Sequence, residues 1–309
     1  MIFQYKAIIR HPTIFKAVTG LTRVEFDQYI EPLAIEVAQT ENQRLANKAN
    51  RKRVVGGGRN HDLQWTDQML LTLVWLRIYP THEVLGYLFG ISDSSSYRIV
   101  KRCLPILAES GRRQIKKSRA HATRKRGYNL AEIYDQVPGL AVVVDAFEQQ
   151  IEKPTQREEA DQFYSKKKKQ HSLKSQIAVD VYTGEILDVA DSLNGRRQDK
   201  GYFNESGILD RLPDNTSFMG DLGYQGLEKE LSRGRTPRKK PRSKPRPAED
   251  IEYNMIFSKA RVIVENSIAR LRIYDALLVR DRHHRNWHTD RVLAVTGIVN
   301  FTKRHRYVY

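Results

Sequence analysis

Cysteine is nearly absent from this chain. Cys103 is the one cysteine in 309 residues, so no intrachain disulfide can staple the fold, and the composition suits a reducing compartment. Long apolar runs are missing as well. Every hydrophobic stretch is broken by polar residues before the about eighteen that a membrane helix needs. The opening MIFQYKAIIRHP has neither a long apolar segment nor an obvious cleavage site, so no secretion signal is expected and the protein is expected in the cytoplasm. Gly56, Gly57 and Gly58 lack the Gly-Lys-Ser/Thr ending of a phosphate-cradling nucleotide loop, which argues against one. His284 and His288 are spaced i, i+4, but no third soft ligand and no His-Glu-x-x-His pattern accompanies them, so zinc is not expected; a place near DNA or at a helix entrance is. Acids are outnumbered, 36 Asp+Glu against 53 Lys+Arg, for a formal charge of +17. Such an excess favours a polyanionic partner. Ribosomal and membrane-surface proteins are equally basic, so charge alone does not choose. At 40% hydrophobic residues, 309 residues are enough for two domains with real cores.

Three segments carry chemistry. Around Ala260–Arg272 the spacing predicts a helix on which Arg261, Glu265 and Arg272 share a face at i, i+4 and i+11. Phe257, Ala260, Val264, Leu271 and Tyr274 fall on a neighbouring, core-facing side. A carboxylate flanked by arginines suits metal binding beside a phosphate; it equally suits an ordinary surface ion pair. Leu140–Glu148 reads as a buried strand ending in an acid, Asp145, and Thr216–Gly226 as a short strand ending in Asp221 before a Gly-rich turn. Either aspartate alone is a common turn former or cap. Two strand-end aspartates and a helical glutamate together are less common. Brought close, they repel unless a cation lies among them, and hard oxygen ligands suit Mg²⁺ or Mn²⁺.

Taken in order, these motifs resemble those of DDE-superfamily transposases of bacterial insertion sequences, close to the insertion-sequence-five group with an N-terminal helix-turn-helix. Asp221, Gly223 and Tyr224 match the family's second motif, and Arg261 and Glu265 its third; Ser258 stands where the family has tyrosine, and Arg272 where it has lysine. Asp145-Ala-Phe-Glu148 stands for the first motif, and Lys166–Lys174, Gly195 and Asp199 follow in the family's order. The resemblance covers the chain from about residue 50 to its end. It implies a ribonuclease-H-like α/β catalytic domain with a mixed sheet, preceded by an all-α DNA-binding region. It implies that Asp145, Asp221 and Glu265 hold two Mg²⁺ (or Mn²⁺) ions, that element ends are cleaved and the freed 3′-OH is joined to target DNA, that a dimer or larger assembly holds two double-stranded DNA ends, and that the protein works on the nucleoid. Glu148 is a candidate fourth acid. Arg261, Arg272, Lys168 and Lys174 are the expected phosphate holders. A non-catalytic, domesticated DNA-binding protein and a metal-dependent nuclease without strand transfer stand as the alternatives.

Along the chain, residues 1–48 have helical spacing and are expected to form a helical cap, with dimerisation a candidate role. Residues 49–63 form a basic, Gly-rich linker in which Arg51, Lys52, Arg53 and Arg59 either approach DNA or merely connect. Residues 64–135 predict three helices and a basic tail. Thr66 is expected to cap the first, which runs to Ile78 before Pro80, Thr81 the second, ending at Gly90, and Ser94 the third, ending near Leu107. The last two form a helix-turn-helix that presents Ser94, Ser95, Ser96, Arg98, Lys101 and Arg102 to DNA. Residues 136–309 are expected to be the catalytic domain, with strands 140–147, 171–182 and 185–191, a helix near 199–211, and a closing helix 289–302. Within it, residues 233–247 carry Arg238, Lys239 and Lys240 on a proline-rich, extended loop expected to grip DNA.

Overall fold

A computed structural model describes residues 3–47, 63–124, 141–214, 216–243 and 245–306. Arg51, Lys52, Arg53 and Arg59 lie outside them, as does the expected linker except Leu63. The chain forms two compact units: Met1–Arg112 with Ile273–Ala276 and Leu293–Tyr309, and Arg113–Arg272 with Leu277–Val292.

The first unit is all-helical. Helices α1 (Tyr5–Ile8), α2 (Pro12–Thr19), α3 (Arg23–Tyr29) and α4 (Glu31–Ala46) precede α5 (Trp65–Ile78). Thr22 and Glu25 close a capping box at the start of α3. Every residue of α5 from Asp67 to Leu76 is buried, because its Met-Leu-Leu-Thr-Leu-Val-Trp-Leu run is apolar all round and belongs in a core. Gln64, not Thr66, occupies the N-cap of α5, which starts two residues earlier than expected. The helix-turn-helix is α6 (His82–Phe89) followed by α7 (Asp93–Arg124). The Thr81 hydroxyl accepts from Val84 N (3.3 Å), and Gly90 ends α6 in a left-handed conformation (φ 67°). The Ser92 hydroxyl caps α7 by accepting from Ser95 N (3.1 Å); Ser94 lies within the first turn. Far from ending near Leu107, α7 continues through Pro105 to Arg124. Amphipathic spacing sustains it: Leu104, Leu107, Ala108, Gly111, Gln114, Ile115, Ser118 and Ala122 are buried, while Arg112, Arg113, Lys116 and Lys117 between them are exposed.

The second unit is built on one mixed sheet. Its strands are β1 (Ala141–Gln150), β2 (Tyr164–Ser165), β3 (Gln170–Asp180), β4 (Ile186–Val189), β5 (Leu193–Asn194), β6 (Ser217–Gly220) and β7 (Gly234–Arg235). The order is β2-β3-β1-β6-β7, with β4 and β5 also paired to β3. β1 runs antiparallel to β3 and parallel to β6, and β6 is parallel to β7. The expected meander is therefore present, turned at Gly184 (φ 64°). The helices are α8 (Arg157–Phe163), α9 (Asp199–Glu205), α10 (Ile208–Arg211), α11 (Leu227–Glu230), α12 (Ala248–Arg272) and α13 (Asp275–Leu278), the last divided between the units. The helix expected at 199–211 is broken at Gly207 (φ 66°) into α9 and α10. Val142, Val144, Ala178, Leu187 and Phe218 point to one face, where Phe203, Ile208, Leu212, Tyr224, Leu227 and Ala122 complete the core. The end of α7 is anchored there by Arg119, whose guanidinium donates to Leu187 O (2.6 Å) and pairs with Asp188.

The closing helix α14 is His288–Arg306. His288 is fully buried at its start, bonded to Ser192 Oγ (2.7 Å) and Gln149 Oε1 (2.8 Å). Burial pushes its imidazole down to about 3, so it is a neutral core group and not a DNA contact. No helix among the described residues is long and apolar enough to cross a membrane.

Candidate active site and nucleic-acid interface

Register brings the two aspartates together. In the parallel pair β1/β6, Val144 is opposite Gly220, so Asp145 and Asp221 come one step further on neighbouring strands, whose backbones run about 4.8 Å apart. Strand alternation then sorts the faces. Val142, Val144 and Phe218 enter the core, while Val143, Asp145, Met219 and Asp221 line a cavity of about 350 Å³ on the other face. Phe257, Ala260, Val264, Ser258 and Arg261 of α12 line it too, with Pro237, Arg238 and Arg246 from the preceding loop. The core-facing side expected for α12 is present in Phe257, Ala260, Val264 and Leu271, all buried; Tyr274, also buried, lies beyond the end of the helix.

Asp145 accepts from Ala146 N (2.8 Å). Burial pushes its carboxyl up to about 6, against the pull of that bond; the negative charges of Asp221 and Asp199 push it further, and Arg261 opposes them. The Asp221 carboxylate accepts from Gly223 N (2.7 Å), which folds the chain tightly after β6. A β-carbon on Gly223 would lie 2.8 Å from Asp199 Oδ2 and 2.9 Å from Asp221 Oδ1. A side chain here would push against both carboxylates, and Asp199 is thereby a neighbour of the aspartate pair. Its place in the family order was the only sign of this in the sequence. Tyr224, buried beneath the acids, donates no charge; its hydroxyl meets Gln176 Nε2 (3.0 Å).

Glu265 stands apart. It is on the exposed side of α12, half of its side chain accessible, and takes Arg261 Nε at 2.7 Å. It does not line the cavity that Asp145, Asp221 and Arg261 share. Among the described residues no three His, Cys, Asp or Glu side chains converge closely enough to hold a metal ion. Arg261 is instead the cation common to all three acids, its charge reinforced by Glu265 first and then by Asp145 and Asp221. Such an exposed i, i+4 pair is worth roughly 0.3–0.5 kcal/mol. Oxygen-only carboxylates on adjacent strands, one of them destabilised by burial and like charge, are nonetheless a donor set that fits a hard divalent cation.

The expected phosphate holders divide sharply. Lys174 is buried and donates to Arg197 O (2.5 Å) and Asp199 Oδ1 (3.0 Å), with Glu148 at 3.7 Å. It neutralises internal acids and is not presented to DNA; Glu148, also buried, accepts from Ser172 Oγ (2.6 Å). Lys168 is exposed in the β2–β3 turn. Arg272 is half-buried away from the cavity lining. Lys239 and Lys240 are exposed, whereas Arg238 pairs with Asp250 (2.8 Å) and lies over the Tyr253 ring (4.4 Å), tying the basic loop to α12. On α7, Ser94, Arg98 and Lys101 are exposed and Ser95 half-buried. Ser96 is fully buried and bonded to His82 Nδ1 (3.0 Å). Arg102 bonds Gln68 Oε1 (2.9 Å) and pairs with Glu41 (3.4 Å), so both turn into the helical unit and not toward a groove.

A helix-turn-helix unit and a ribonuclease-H-like unit with paired aspartates on adjacent strands define a class of DNA-processing enzymes. The family model described as DDE superfamily endonuclease matches residues 144–300, and that of the helix-turn-helix of DDE superfamily endonuclease matches residues 61–113. The chain belongs to the DDE superfamily endonucleases, enzymes that use divalent metals and here come with a DNA-binding domain. It is also 28% identical, over 93% of both chains, to a probable transposase for insertion sequence element IS702 of Microchaete diplosiphon. No solved structure matches it significantly.

Proposed function

We propose that the protein is a DNA transposase that binds the ends of an insertion sequence, cleaves them and joins the 3′-OH to target DNA. The observation that supports this reading is the placement of Asp145 on β1 and of Asp221 directly after β6, two strands paired in parallel, at one cavity, with Arg261 and Glu265 on α12. Asp145 and Asp221, joined by Glu265, are the residues that would hold two Mg²⁺ or Mn²⁺ ions. Bound there, such ions supply a nucleophilic hydroxide or alkoxide at neutral pH and neutralise charge on the leaving oxygen. The rest falls to the protein. Arg261 and Arg246 at the cavity hold the scissile phosphate, since phosphoryl transfer needs alignment and charge stabilisation more than covalent help. Met219, Phe257 and Val264 give the cavity an apolar wall that limits water. Ser94, Arg98 and Lys101 on α7 engage DNA in the manner of a recognition helix, and Lys168, Lys239 and Lys240 add phosphate contacts. Two ends require a homodimer or a larger assembly on double-stranded DNA, in the cytoplasm.

The test is direct. Asp145→Ala, Asp221→Ala and Glu265→Ala should each bind element ends and lose divalent-dependent cleavage; cutting at the wild-type level removes that residue from the mechanism. Joining of pre-cut ends to a target duplex separates a transposase from a nuclease that only hydrolyses.

A further inference from the structure

Arg261 occupies an unusual place. Its Nε is bonded to Glu265 Oε1 at 2.7 Å, and it lines the cavity with Asp145 and Asp221 while Glu265 does not. One guanidinium is thus shared by three carboxylates that would otherwise repel one another. Its neighbours are differently committed: Arg238 is bound to Asp250, and Lys174 to Asp199 and Arg197 O. The Arg261–Glu265 pair is solvent-exposed on both sides, 63% and 50% of the side chains. Breaking such a pair costs about a factor of two in equilibrium, whereas a guanidinium moving to a phosphate gains charge-assisted, often bidentate, hydrogen bonds. Removing Arg261 from the acids leaves their negative charge without its cation, which favours a divalent ion in its stead.

Resting on the transposase reading above, we propose that Arg261 is a positioning residue that keeps Glu265 from the aspartate pair until a DNA phosphate takes its guanidinium, so that DNA arrival completes the acid set. Metal and Arg261 compete for the same carboxylates. DNA and metal therefore bind with positive coupling, and the free protein binds metal weakly, which spares DNA from cleavage before it is seated.

The experiment measures Mn²⁺ binding to the full chain by the electron paramagnetic resonance signal of free Mn²⁺, with and without a short duplex at saturation, saturation being verified by fluorescence anisotropy. In the wild type the duplex should tighten Mn²⁺ binding by about fivefold or more. Arg261→Ala should bind Mn²⁺ tightly without DNA, and the duplex should add less than about twofold. Glu265→Gln should bind DNA yet show no DNA-dependent gain. Lys259→Ala, which removes an equal charge from an exposed position of the same helix, should keep the gain. Unchanged Mn²⁺ affinity in Arg261→Ala, the same DNA-dependent gain in Arg261→Ala as in wild type, or equal behaviour of Lys259→Ala and Arg261→Ala would overturn the coupling. Asp145→Asn and Asp221→Asn test the reading beneath it: Mn²⁺ binding that both leave intact removes the aspartate site itself.

Discussion

Replacing Asp145 with asparagine should stabilise the metal-free protein at alkaline pH and do nothing for it in acid. The carboxyl moves from an ordinary 3.8 to about 6 on folding, through burial and the charges of Asp221 and Asp199. Below 3.8 it is protonated both folded and unfolded and makes no difference to stability. Between 3.8 and about 6 the unfolded chain ionises first, so the native state loses ground as pH rises. Above about 6 the loss is complete, about 3 kcal/mol at ~1.36 kcal/mol per pH unit. Asparagine fills nearly the same volume, keeps an oxygen to accept from Ala146 N, and carries no charge. In EDTA at pH 8 the variant should therefore melt about 5–10 °C higher in the catalytic unit, a gain that shrinks to nothing at pH 3.5. Mn²⁺ should raise the melting temperature of the wild type, which it relieves of the same repulsion, and not that of the variant. Calorimetry of both proteins across this pH range reads the difference. An equal gain at both ends of the range, or none at pH 8, would refute the assignment of Asp145 as a carboxylate held under strain for a cation.

The buried Lys174 gives a second expectation: Lys174→Met leaves Glu148 and Asp199 without their cation and should cost about 3–5 kcal/mol in denaturant unfolding, while the salt dependence of DNA binding stays as in wild type. On α7, Arg98→Ala and Lys101→Ala should each weaken binding and reduce the slope of log affinity against log salt by about 1. Ser96→Ala should leave that slope unchanged and lower stability only. In the helical unit, the bonds from Arg306 and Thr22 hold the Glu25 carboxyl at about 2, below the ordinary 4.5, despite burial. Its contribution is full above pH 4.5 and is lost as pH falls toward 2, so Arg306→Ala should destabilise by about 2 kcal/mol at pH 7 and by far less at pH 2. Circular dichroism melts at the two pH values check it, and equal losses at both would contradict the pairing.

Local pattern made much of this protein legible. The β-branched run before Asp145, the Thr81 and Gly90 boundaries of α6, and the 3.6-residue spacing of Phe257, Ala260, Val264 and Leu271 each act over a few residues, and each gave its element, although β1 runs on to Gln150 and leaves Asp145 within the strand instead of at its end. The ordered acids gave the family. What the spacing did not carry was direction. Ser96 lies between Ser95 and Arg98, yet its side chain turns to His82. Lys174 sits in a basic run, but strand alternation sends it inward to Asp199. The two-residue strand β7 depends on the partner edge of β6 and leaves almost no local trace.

The sequence by itself determined which residues are apolar on one side of each helix or strand, where α6 begins and ends, and which acids are available for chemistry. Only the tertiary structure decided which of those acids meet. Parallel pairing in a particular register sets Asp145 beside Asp221 across more than seventy residues of chain, and the placement of α12 leaves Glu265 behind Arg261. The reason is physical: helix and strand periodicity are set by neighbours a few bonds away, whereas the meeting of distant charges depends on how whole elements pack.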